Sequence, residues 1–331
     1  MSKNEQGIAA VVGLLLIVLV LGGVGFAGYK VMQARQDKPA TTADTATKAN
    51  AKTWQTGDYA VEGTYADASV VQTGDGQWRM YYGIQPEVQG NQLQVYSATS
   101  TDGKTWTQES GTRKTMATFP NVVKTTDGKY RMYFQQAGAI KSAISSDGLS
   151  FTDEAGSRMT TANNVGLTFD NVAAPSVFLQ DDGTWMMVYR GTVNTRYAAD
   201  TPNATTQLLM WATSTDGLTF TQKGIAVDSR NSTLRGQLDG PDIQKWDDGK
   251  LHVFATTYAG VYEFVFDGSS FSDGTLAYAL ASDLPASQNG PTAPADVAPP
   301  GDPSLAKIDG TWYMYYGGPR TKNGLWYAAL K

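Results

Sequence analysis

The 331-residue chain carries 25 aspartates against 6 glutamates, a single histidine and no cysteine. Acid–base chemistry therefore falls to carboxyl groups. Without cysteine there is no thiolate nucleophile or disulfide, and His252 alone cannot build a multi-histidine zinc site. Four aspartates lie in short, related segments: Tyr65-Ala-Asp67-Ala-Ser69, Asp239-Gly-Pro-Asp242 and Gly301-Asp302-Pro-Ser304. Phe119-Pro-Asn121 and Ala173-Ala174-Pro-Ser176 belong to the same set. If the fold gathers Asp67, Asp239, Asp242 and Asp302, their like charges push at least one pKa upward and hold a proton near neutrality. A protonated carboxyl and an ionised one flanking an acetal are the minimum machinery for glycoside hydrolysis. An aspartate opening a strand also has a plainer role, bonding nearby backbone amides. Arg190, Arg196, Arg235 and Arg320, with Tyr82, Tyr189, Tyr197 and Tyr258, supply guanidinium forks and aromatic faces that suit sugar hydroxyls and ring CH groups. No metal or other cofactor is expected, and a net charge of -5 argues against nucleic acid as a partner.

The elements that must position these residues are written in a repeat. An apolar run, an Asp-Gly turn and an aromatic run recur as SVVQTGDGQWRMYYG, NVVKTTDGKYRMYFQ, SVFLQDDGTWMMVYRG, DIQKWDDGKLHVFAT and SLAKIDGTWYMYYGG, with the turns starting at Asp75, Asp127, Asp182, Asp248 and Asp309. Asp-Gly between two β-rich runs is a strong hairpin signal. A second unit follows, an apolar strand and then Ser-x-Asp-Gly-x-x-Trp/Phe: SATSTDGKTWTQ, SAISSDGLSFTD, WATSTDGLTFTQ and a degraded EFVFDGSSFSD. Each repeat thus holds four strands in two hairpins, the content of a propeller blade. The fifth repeat stops at its third strand, LWYAA, and Thr53-Trp54-Gln55-Thr56 resembles the missing fourth. The expected fold is all-β, a five-bladed β-propeller over 53–331 closed by its N-terminal strand. A two-sheet sandwich is the alternative, but Trp312, Met314 and Tyr316 alternate with Tyr313 and Tyr315, so both faces of that strand are apolar, as stacked blades require.

Strand direction then separates two rims. Both kinds of Asp-Gly turn share one. The opposite rim carries the irregular connections 190–206, 230–241 and 282–303, and long loops in a compact fold are usually functional. The candidate site belongs there, where the five first strands begin. Ahead of the repeats, residues 8–28 run without a charge, long enough to cross a bilayer as a helix and longer than the apolar core of a cleaved signal. Residues 1–34 are therefore expected to hold an N-terminal transmembrane anchor helix, with a signal helix as the alternative, and 35–52, lacking aromatics and large apolar side chains, a flexible linker. The propeller is then membrane-anchored, extracytoplasmic and monomeric.

This blade pattern, across about 54–331, resembles the five-bladed propeller glycosidases of the arabinanase, β-xylosidase, levansucrase and invertase type. The Ser-x-Asp-Gly turns also look like sialidase Asp-boxes, although five blades make that likeness second. In arabinanase-type enzymes an Asp opening the first blade is the general base, an Asp opening the third tunes pKa, and a Glu in a Glu-Gly-Pro-like segment opening the fourth is the general acid. Asp67 in ADASVV matches the first, and Asp239 in LDGPDIQ stands at the fourth as a shorter acid. The third falls on Ala174, with Asp170 four residues earlier; Asp302 in GDPSL sits on the fifth blade. The resemblance implies a glycoside hydrolase acting on poly- or oligosaccharide, with Asp67 as base and Asp239 as acid. Asp170, Asp242, Asp302, Asn121, Arg190, Arg235, Arg320 and Tyr258 are then supporting or substrate-binding residues. The lost glutamate and Ala174 leave open a second expectation, a propeller that binds carbohydrate or protein without catalysis.

Overall fold

The computed structural model describes residues 54–84, 93–201, 203–279, 301–317 and 324–331. The expected membrane segment, the linker, Thr53, Arg320 and nearly all of the 282–303 connection lie outside the described residues. Within them the chain is all-β, and its strands form five antiparallel sheets in sequence order. The first four blades begin with Tyr65–Gly74, Thr118–Lys124, Phe169–Leu179 and Asp239–Lys245, and each then adds its second, third and fourth strands outward. The fifth consists of Gly301–Ile308, Thr311–Gly317 and Gly324–Leu330, completed by Trp54–Glu62 from the other end of the domain. That closing strand pairs from Trp54 opposite Leu330 to Glu62 opposite Gly324. The ring therefore closes as the repeat count requires, which removes the open edge that blade five would otherwise present.

Five apolar layers fill the five gaps between blades. Tyr81, Met132 and Phe134 lie between blades one and two, and Tyr133, Met187 and Tyr189 between two and three. Val188, Leu209 and Val253 fill the next gap, then Phe254, Met314 and Trp326, and Met80, Tyr82 and Tyr315 close the circle. The alternation of aromatics and methionines on the second strands is explained here, because each such strand has a buried neighbour on both faces. The Trp246 and Trp312 rings, one from each of blades four and five, stack with centroids 4.0 Å apart.

The Ser-x-Asp-Gly turns act as fasteners between blades. In the first, Ser100 Oγ accepts the Gly103 N–H at 2.9 Å and Asp102 Oδ1 accepts those of Lys104 and Thr105 at 2.8 Å; Ser145/Asp147 and Ser214/Asp216 repeat the arrangement. A tyrosine from the preceding blade then donates to the turn glycine's carbonyl: Tyr81 to Gly148 at 2.8 Å, Tyr133 to Gly217 at 2.8 Å and Tyr315 to Gly103 at 2.7 Å. Glycine is required at 217, where φ is +70° and a Cβ would fall 2.5 Å from Arg131 Nη1. Most of the aspartate excess is thus turn chemistry on the rim away from the pocket.

Candidate active site

Each of the five first strands is interrupted by a bulge close to its start. Pairing with the second strand slips between Ala66 and Ser69, Thr118 and Asn121, Ala173 and Ser176, Asp239 and Asp242, and Gly301 and Ser304. Within each slip one residue is left-handed: Asp67 (φ 58°), Phe119 (51°), Ala174 (47°), Gly240 (49°) and Asp302 (47°). These five line one pocket on the axis, at the rim opposite the Asp-Gly turns. Two residues further on, a polar side chain reaches the next blade. Ser69 Oγ accepts the Val122 N–H at 2.9 Å, Asn121 Oδ1 that of Val177 at 2.9 Å, Ser176 Oγ that of Ile243 at 2.9 Å and Asp242 Oδ2 that of Leu305 at 2.8 Å. The bulge thus divides the labour: one side chain enters the pocket, and the next polar one ties the blades.

Two of the expected carboxyls, Asp67 and Asp302, come together in the pocket, and Asp239 stands close enough to act on Asp302. Asp67, only 6% exposed, accepts the Phe119 N–H at Oδ2 (3.4 Å). Asp302 is half-buried, donates its own backbone N–H to Thr256 Oγ1 at 2.8 Å, and its carboxyl stands beside that of Asp67. Its seat depends on glycine, since a Cβ on Gly240 would fall 2.0 Å from Asp302 Oδ1. Asp239 stands one residue ahead of the left-handed position. Its Oδ1 accepts the Gly240 N–H at 2.8 Å and its Oδ2 pairs with Arg190 Nη1. The Arg190 side chain is 4% exposed and its guanidinium lies over the Phe119 ring at 5.2 Å, a cation–π contact that fixes the head group. The Asp302 carboxyl titrates well above the usual aspartate range, chiefly through burial and then through the negative charges of Asp239 and Asp67, with Arg190 opposing.

The other expected residues are placed elsewhere. Asp242 and Asn121 line the pocket's edge but spend their acceptors on the inter-blade ties. Burial pushes the Asp242 carboxyl up to about 7 against the donors Gln244, Leu305 and Ser176. Asp170 is exposed and does not line the pocket, so blade three brings Ala174 to it and no carboxylate. Arg235 pairs with Asp200, and the Tyr258 hydroxyl accepts the Asn203 N–H at 3.4 Å, which ties the rim connections to one another. Phe119, Gly240 and Thr256 shape the site without having been singled out in the sequence. The left-handed residue followed by Pro or Ala and then Ser, Asn or Asp is the signal that marks the first two.

No known protein family and no curated protein matches the sequence. Solved structures match its fold, and that fold is the five-bladed propeller of glycosidases. One is from work on the GH130 family of mannoside phosphorylases, containing glycoside hydrolases that target β-1,2-mannosidic linkages in Candida mannan (TM-score 0.60, 13% identity, 88% of this chain and 96% of that one). Another is the α-L-arabinofuranosidase CtGH43 of Clostridium thermocellum ATCC 27405 (TM-score 0.51, 16% identity, 76% and 82%). A third is the RS223 β-xylosidase (TM-score 0.55, 14% identity, 83% and 93%). At such identities the likeness is one of fold.

Proposed function

We propose that the protein is a glycoside hydrolase acting on poly- or oligosaccharide, with Asp67, Asp239 and Asp302 as its working carboxyls. The observation that carries this reading is that Asp67 and Asp302, from blades one and five, line one axial pocket, with Asp239 of blade four beside Asp302 and paired with the buried Arg190. Acetal hydrolysis needs an acid and a base at one carbon, and clustered carboxyls are the groups this site has to supply them. The propeller neighbours that cleave mannosidic, arabinofuranosidic and xylosidic bonds support it as a class. The apolar run 8–28 supports a membrane anchor, and in this reading the propeller is extracytoplasmic and monomeric.

The test is sugar release by the full chain from mannoside, arabinoside, xyloside and fructoside substrates, beside Asp67→Asn and Asp239→Asn. Cleavage of at least one substrate is expected, with each variant slower by about 10²-fold or more. Variants that match the parent would sink the assignment. The missing carboxylate at Ala174 favours the second reading, a carbohydrate-binding propeller. Saturable glycan binding with no sugar released over long incubation would establish it.

A further inference from the structure

The left-handed bulge residues enter the pocket in ring order: Asp67 from blade one, Phe119 from blade two, Ala174 from blade three, Gly240 from blade four and Asp302 from blade five. That order fixes which side of the pocket each one forms. Blades five and one pack against each other where the ring closes, so Asp302 and Asp67 share one side, and the Asp302 carboxylate also fills the space that Gly240 leaves. Phe119 and Ala174 form the other side and bring only hydrocarbon to it. Among the five, Asp302 and Phe119 are half-buried, whereas Ala174 is 3% exposed and Asp67 6%. The carboxyl and the apolar surfaces open to the pocket therefore belong chiefly to Asp302 and Phe119. In a closed ring of five, blades two and five are as far apart as any two can be.

The apolar side has little left to offer a hydroxyl. The Phe119 N–H already goes to Asp67 Oδ2 at 3.4 Å, and Asn121 Oδ1 takes the Val177 N–H at 2.9 Å. Pro120 and Pro175, the next residues of blades two and three, have no N–H. Arg190 lays its guanidinium over the Phe119 ring at 5.2 Å, pairs with Asp239 and does not itself line the pocket. A hydroxyl pressed against this side gives up water without regaining a hydrogen bond, whereas a methyl gains by leaving water. In a six-membered sugar ring, the bond between the anomeric carbon and its hydroxyl-bearing neighbour lies opposite the bond that ends at the carbon carrying the exocyclic group. A sugar that presents its anomeric side to Asp67 and Asp302 thus turns its exocyclic group toward Phe119 and Ala174. We propose, on the glycosidase reading above, that the pocket selects deoxyhexosides, in which a methyl replaces the exocyclic hydroxymethyl group, over the corresponding hexosides, and that Phe119 sets this preference.

The test is binding of methyl glycosides to the full chain, followed by ligand-observed NMR. Methyl fucoside is set against methyl galactoside, methyl rhamnoside against methyl mannoside and methyl quinovoside against methyl glucoside, each pair in one configurational series, so that its members differ by a single hydroxyl. At least one deoxy sugar is expected to bind about 10- to 100-fold more tightly than its partner. Phe119→Asn, which accepts the left-handed backbone and brings a polar side chain, should narrow that ratio to about threefold or less. Phe119→Leu, apolar like the parent, should keep it. Ala174→Asn makes the same comparison from blade three should Phe119→Asn lose its native circular dichroism spectrum. Hexosides that bind as tightly as their deoxy partners, no binding by any pair, or an undiminished ratio in a natively folded asparagine variant overturns the proposal. Nitrophenyl glycosides of the same pairs separate it from the reading it rests on. A preference in binding with no sugar released refutes the glycosidase reading and leaves the preference standing, whereas release at equal kcat/KM across every pair refutes the preference and leaves the glycosidase.

Discussion

Replacing Asp242 with asparagine should stabilise the propeller at about pH 8, and the gain should disappear toward about pH 4. The side chain is 4% exposed and accepts from Leu305 N at 2.8 Å, Gln244 Nε2 at 2.9 Å and Ser176 Oγ at 3.3 Å. Even with three donors, removal from water dominates and lifts the carboxyl from an ordinary 3.8 to about 7. The sign follows from proton counting. Between those two values the native state keeps a proton that the unfolded chain has released, so stability falls as pH rises through that window and is level above it. A gap of about three pH units corresponds to about 4 kcal/mol at most.

Asparagine has the same shape and never ionises. Its Oδ1 can accept from Leu305 and Gln244 while its Nδ2 donates to Ser176 Oγ, so the inter-blade tie survives. We expect a gain of about 2 to 4 kcal/mol at about pH 8 and near none at about pH 4. Leucine at the same position would instead leave the Leu305 and Gln244 donors buried and unpaired, which puts it about 2 to 4 kcal/mol below the asparagine variant at any pH. Urea denaturation across that range measures all three proteins, and the difference between variant and parent isolates Asp242 from every other titrating group. An asparagine variant less stable than the parent at the alkaline end, or a difference that does not change with pH, would refute the reasoning.

Two further outcomes follow from particular contacts. Tyr133→Phe removes the hydroxyl that meets the buried Gly217 carbonyl at 2.8 Å and should lower stability by about 1 kcal/mol; an unchanged denaturation midpoint would show that the turn is not fastened by that bond. Gly240→Ala forces a left-handed alanine and places a Cβ 2.0 Å from Asp302 Oδ1, so we expect about 1 to 3 kcal/mol of destabilisation and a loss of about 10²-fold in sugar release, and wild-type turnover would mean that the seat of Asp302 is not needed.

The ring and its closure were legible because their signals are local. Asp-Gly turns with aromatic runs repeat at blade spacing, and the Trp54-Gln-Thr strand carries the same letters as Trp106-Thr-Gln in the fourth strand of blade one. Asp67 and Asp302 were legible as strand-opening residues for the same reason. The roles within the Asp239-Gly-Pro-Asp242 segment were not. A bulge shifts the phase of a strand by one residue; the Gly-Pro-Asp triplet aligns Gly240, and not Asp239, with Asp67, but nothing in the string shows that Asp239, one residue earlier, meets Arg190. The same shift sends Asp242 away from the pocket to the Leu305 N–H of blade five. The Arg190–Asp239 pair and the Phe119 ring beneath it join three blades, and contacts between positions so far apart in sequence leave no local periodicity.

The bulges also explain why this ring holds a pocket on its axis. Five nearly equivalent backbones place their left-handed residue at the axis, and for anything but glycine that conformation costs about 1 to 3 kcal/mol. The blade packing that enforces it is common to all five, so the chemistry of the pocket is set by which side chain each blade supplies there. Blades one and five supply carboxyls and blade two an aromatic ring, while blades three and four supply only Ala174 and Gly240. On that emptier side, Arg190 enters from a second strand and Asp239 from one residue earlier, and the two pair there. The pocket thus takes its carboxyls from blades one and five, and the Arg190–Asp239 pair stands beside them. Adding a carboxylate at Ala174 to restore the third acid of the arabinanase pattern would put negative charge next to Ala173, the strand partner of Arg190, and would compete with Asp239 for that guanidinium.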